Sequence, residues 1–117
     1  MVTAEEVRAL AARLPRSAEA FVRGRVKFRV GRIVYLSFSK DETLMGLAFP
    51  KEEREAALET YPEKFVRPRP SDMRYSWILV RLQALDEPEM QELVLDAWRM
   101  VVPKKLAAAS DDELLAS

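Results

Sequence analysis

The chain has 117 residues, 49% of them hydrophobic and 32% charged, which suits one globular domain with a modest core and leaves no room for two. It has no cysteine and no histidine, and 19 bases balance 19 acids; disulfides, thiolate metal sites, cysteine nucleophiles and imidazole chemistry are thereby excluded. No apolar run approaches the roughly 20 residues of a membrane helix, and the opening MVTAEEVRAL has acids where a secretory signal has bases, so a cytoplasmic protein is expected.

Thr3 followed by Glu6 is a capping-box start, and Val7, Leu10, Ala11 and Leu14 then recur at helical spacing. A helix over 4–14 is predicted, closed by Pro15. Residues 25–30, RVKFRV, alternate strictly. Arg25, Lys27 and Arg29 point one way and Val26, Phe28 and Val30 the other, as in a half-buried strand. Gly31-Arg32 fits a two-residue hairpin turn with glycine first. Residues 33–39 form the second predicted strand, with Val34, Leu36 and Phe38 on one face and Tyr35 and Ser37 on the other. A third strand follows over 43–49. Pro50 with Glu52 and Glu53 opens a second helix that runs to about Thr60. Residues 64–70 are extended but carry two prolines, so at best an edge strand. Residues 75–82, YSWILVRL, are the clearest strand by content. Asp86 with Glu89 starts the last long helix, whose stripe is Met90, Leu93, Val94, Ala97, Trp98 and Val101. Pro103 interrupts it. Residues 103–117 read as an extension, with a short helix over 104–109 and a tail that adds a turn or frays.

The order is helix, three strands, helix, one or two strands, helix. Consecutive hairpins imply a mainly antiparallel sheet with the helices on one face. The charges are segregated. From Ala20 to Lys40 there are six bases and no acid; from Asp86 to Trp98 there are five acids and no base.

The stretch YPEKFVRPRPSDMRYSWILVRL, then LDEPEMQELVLDAWRMVVPKKLAA, carries an aromatic-proline pair at Tyr61-Pro62 and prolines at 68 and 70. It continues with a strand opening on Trp77 and a closing helix with Trp98, then Pro103-Lys104. In these features it resembles the MmcQ/YjbR family over roughly residues 3–109. The resemblance implies an α+β two-layer domain, α-β(3)-α-β(2)-α, similar in fold to type III secretion chaperones. It also implies DNA binding, the label many members carry. Some members have a histidine just before the strand tryptophan; here that position is Ser76.

One candidate site follows from strand alternation. If Ile78, Val80 and Leu82 face the core, then Tyr75, Trp77 and Arg81 share the other face with Arg25, Lys27, Arg29, Tyr35 and Ser37. Arg67, Arg69 and Arg74 would extend its rim. Cations neutralise phosphates and flat rings stack on bases, which is the chemistry single-stranded DNA or RNA requires. The plain alternative is a wet sheet face covered by long charged stems. A protein-interaction domain is the second functional reading. Five acids, Asp86, Glu87, Glu89, Glu92 and Asp96, raise a magnesium or acid-base site as a lesser reading; helix capping and the helix dipole explain Asp86 to Glu89, and Glu92 and Asp96, four apart, read as the solvated face. Lys104-Lys105 could touch an anion, although lysines at a helix end more often interact with its exposed carbonyls. No serine has a histidine or evident lysine partner. A monomer without catalytic activity, metal or cofactor is expected.

Overall fold

A computed structural model of the chain describes residues 1–116. Thr3 caps helix α1 (Ala4–Arg13): its Oγ1 accepts from the Glu6 N–H at 3.2 Å, and Glu6 Oε1 accepts from the Thr3 N–H at 3.1 Å. The chain then enters a strand that the sequence reading did not include, β1 (Ser17–Val22). It is followed by β2 (Arg25–Val30), β3 (Ile33–Phe38) and β4 (Leu44–Ala48). Four strands rather than three therefore precede α2 (Lys51–Thr60). Arg23 and Gly24 both have positive φ, 53° and 78°, the signature of a type I′ hairpin turn. Gly31 has φ 60° and holds the first position of the next turn, as its place in the sequence predicts.

After α2 come the two-residue β5 (Phe65–Val66), β6 (Trp77–Arg81) and α3 (Glu87–Arg99). Every strand pairing is antiparallel, and the sheet order is β1-β2-β3-β4-β6-β5. The expected two-layer α+β architecture holds. The register aligns Phe28, Leu36 and Leu47 across neighbouring strands, with Phe38, Met45 and Val80 in the adjoining row. These side chains and Ile78 are fully buried. α3 lays Val94, Leu95, Ala97 and Trp98 into the same core and contacts β3, β4 and α1. The Trp98 indole N–H donates to the Pro15 carbonyl at 2.9 Å, tying α3 to the end of α1.

The C-terminal extension is helical in two short pieces, α4 (Lys104–Ala107) and α5 (Asp111–Leu115). Arg99 holds them. Its guanidinium donates to the carbonyls of Ala107 and Ala109 and to Asp111 Oδ1, while Leu114 is buried. The residue that serves the exposed carbonyls here is Arg99; Lys104 and Lys105 open α4 instead.

Candidate nucleic-acid interface

The side of the sheet away from α1 and α3 is built by the alternate residues of each strand. Cross-strand pairing runs Ala20–Lys27, Lys27–Ser37, Ser37–Gly46, Gly46–Leu79 and Leu79–Val66 in one continuous row. The flanking rows carry Arg25 and Arg81 at one end, and Arg29 and Trp77 at the other. Arg29 and Arg81 are exposed, and Lys27, Ser37, Trp77 and Leu79 are half-buried, whereas Phe28, Leu36, Phe38, Ile78 and Val80 on the core side of the same strands are sealed. The sheet is thus covered by helices on one side and open on the other. Arg25, Lys27, Arg29, Ser37, Trp77 and Arg81 share the open side, as strand alternation predicts.

Among the described residues, the side chains of Arg25, Lys27 and Arg29 make no ion pair or hydrogen bond. The β1 residues beside them on this face are Ala18, Ala20 and Val22, which bring no acid. Glu19, the acid of β1, points to the helical side and pairs with Arg8 at 3.0 Å. The acidic helix α3 also lies behind the sheet: Asp86 caps it, Glu89 pairs with Lys64, and Asp96 faces Arg99. Its carboxylates do not border the basic strand.

Trp77 lies across the middle of the open face. A Cβ built on Gly46 would stand 2.5 Å from Cζ2 and 2.6 Å from Nε1 of the indole. Gly46 is therefore the place where the ring rests directly on backbone. A glycine inside a strand is itself a signal of close approach, but nothing in the alternation of 43–49 pairs it with Trp77.

Tyr35 does not belong to this face. The register slips between Phe28 and Arg29: Phe28 pairs with Leu36 and Arg29 with Val34. Tyr35 is the extra residue of a β-bulge, which re-aims a side chain. It is 0% exposed, and its hydroxyl lies 2.6 Å from Ser17 Oγ. Burial pushes its phenol up to about 12, opposed by the Ser17 hydrogen bond. By the same slip Val34, expected in the core, sits opposite Arg29 on the open side.

The rim arginines are mostly engaged. Arg67 makes a two-pronged pair with Glu55, one limb at 2.8 Å, and this hydrogen bonding holds the Glu55 carboxyl below its usual range. Arg69 faces Asp72 at 3.7 Å. Arg81 donates to the Pro62 carbonyl at 3.0 Å. Tyr75 lies in the loop before β6, exposed, with the Arg74 guanidinium 4.9 Å from its ring centre and bonded to its hydroxyl at 2.8 Å. The residue that shapes this loop, Arg54 of α2, was not singled out from the sequence. It is 6% exposed and donates to the carbonyls of Met73, Tyr75 and Trp77 at 2.8–3.0 Å.

Among the described residues no cluster of acids is placed to hold a metal ion, and no helix is long and apolar enough to cross a membrane. The family model described as YjbR matches residues 12–100. The crystal structure of Deinococcus radiodurans protein DR2400, a DUF419 domain, is similar over 97% of this chain and 88% of its own, with TM-score 0.76 and 22% identity. That likeness is one of fold. No curated protein matches the chain.

Proposed function

The chain belongs to the YjbR family, and from that premise and the geometry of its open face we propose that it is a cytoplasmic binding module for single-stranded nucleic acid, without strong sequence preference and without a catalytic step. One observation carries this reading: three unpaired bases of β2 share an uncovered sheet face with a tryptophan laid flat on glycine. Arg25, Lys27 and Arg29 recur every second residue, so they track a backbone of regularly spaced phosphates. Trp77 offers a ring for one base, and stacking of that kind is worth about 1–3 kcal/mol. Arg74 and Tyr75 extend the face at the β6 end; Arg67 and Arg69 contribute less, because each already answers a carboxylate.

Fluorescence anisotropy with a labelled single-stranded oligonucleotide tests the proposal. Saturable binding is expected at low salt and weaker binding at moderate salt. Arg25→Glu with Lys27→Glu and Arg29→Glu should abolish it while leaving the fold intact, since these stems are outside the core. Flat titrations of the unaltered protein at tens of micromolar would end the idea. The second reading, a protein-interaction domain, is favoured by a separate feature at the free edge of β1.

A further inference from the structure

The two edges of the sheet are treated differently. At the β5 edge the strand is two residues long and runs into Arg67-Pro68-Arg69-Pro70. Short edge strands and prolines are devices that stop another strand from adding on. At the other edge β1 is six residues long, regular, and free of proline, lysine and bulge.

The type I′ turn at Arg23-Gly24 fixes which backbone groups of β1 are free. In a two-residue hairpin Val22 and Arg25 exchange both hydrogen bonds, and so do Ala20 with Lys27 and Ala18 with Arg29. The N–H and C=O groups of Glu19 and Phe21 therefore point away from β2, at the open edge. Beside them stands the largest exposed ring of the strand region: Phe21 is 73% exposed and its neighbour Val22 41%.

We propose that this edge pairs with the β1 edge of a second copy of the chain, antiparallel, about a two-fold axis at Phe21. The sequence of the edge is self-complementary in that register. Phe21 meets the second copy's Phe21, Ala20 comes opposite Val22, and Glu19, which also holds Arg8, comes beside Arg23 at the start of the second copy's turn. Charge selects it over the register centred on Glu19, which would set two carboxylates face to face. A two-fold contact uses the same patch on both chains and closes on itself. The blunted β5 edges are left outermost.

The two β2 strands would then lie three strand spacings apart, about 14 Å. That exceeds the roughly 8 Å Debye length at physiological salt, so their bases do not oppose the pairing strongly. The joined sheet places both basic rows on one continuous open face. Between them lies a floor made of Ala18, Ala20 and Val22 from each copy. The pairing itself does not rest on the nucleic-acid reading, and it departs from the monomer expected from the sequence.

Sedimentation equilibrium of the full chain, without nucleic acid, from micromolar to hundreds of micromolar, decides the matter. The expected result is a two-chain mass at the upper end. Phe21→Lys should give a single-chain mass throughout, with unchanged circular dichroism. Arg23→Asp, which sets an acid against Glu19 at a turn position aspartate tolerates, should weaken association several-fold. If Phe21→Lys proves poorly folded, Arg23→Asp decides alone. A single-chain mass for the unaltered protein at every concentration overturns the proposal. So does a mass above two chains, or a two-chain mass that Arg23→Asp leaves unchanged.

Discussion

Gly46 shapes the open face by having no side chain, and Tyr35 leaves that face because of a single extra residue. At Gly46 a methyl group would overlap the Trp77 ring, and the ring would have to lift. Gly46→Ala should cost about 1–3 kcal/mol, the usual penalty of overpacking, read by urea denaturation. The emission of Trp77 should shift with it, while fully buried Trp98 keeps its environment. An unchanged midpoint and spectrum would mean that the ring does not rest there. Tyr35 makes a different prediction. Its folded phenol ionises near 12 against an ordinary 10.0, chiefly because burial disfavours the phenolate. The stabilisation this represents is therefore complete below the unfolded value and is lost as pH rises towards the folded one. Tyr35→Phe gives up the Ser17 hydrogen bond, about 1 kcal/mol at neutral pH, but has nothing to ionise. The stability gap between the two proteins should narrow and then reverse as pH climbs through that window. A gap that stays constant would place the phenol in water.

Between elements, the most consequential contact is the fork of Arg54. Its guanidinium reaches from α2 to three alternate carbonyls, those of Met73, Tyr75 and Trp77, and its own Nε has no partner. Arg54→Lys keeps the charge but cannot span them, so part-buried carbonyls lose their donors. A loss of about 2–4 kcal/mol is expected, measured by chemical denaturation, and a loss below half a kilocalorie would show that water serves these carbonyls equally well. Such a contact is not legible in the sequence, where Arg54 sits in the run KEEREAALET and reads as a solvated helix position. β1 escaped for a related reason. Ser, Ala and Glu have little β-propensity, and the strand is held by its hairpin partner rather than by its own composition. The alternation of β2 and the stripe of α3 were legible because each buries one face against a large apolar surface, and burial leaves a period in the sequence. A bulge leaves none, since an inserted residue in β3 is visible only against the register of β2. That is why Tyr35 and Val34 exchanged faces, while Arg25, Lys27, Arg29 and Trp77, on strands that carry no inserted residue, came out on the side strand alternation assigns them.

Across the whole molecule, a net charge of zero conceals a polarity through the sheet. Glu89 and Asp96 of α3 stand behind it with bases of their own, and the bases of β2 stand in front without acids. An oligonucleotide approaching the front meets a local field that the total charge does not reveal. The salt dependence of binding measures how many of those bases reach phosphate. Each phosphate neutralised on a single strand contributes a slope of about −0.7 in log affinity against log salt. Three free bases therefore predict a slope near −2, by the same relation. Arg29→Ala should lower affinity and take about 0.7 from that slope. Trp77→Leu should lower affinity without altering the slope, because stacking releases no counterions. Slope and intercept thus separate the two chemistries that the open face brings together. Should Trp77→Leu change the slope as much as Arg29→Ala does, the indole acts by holding the neighbouring cations in place rather than by stacking on a base.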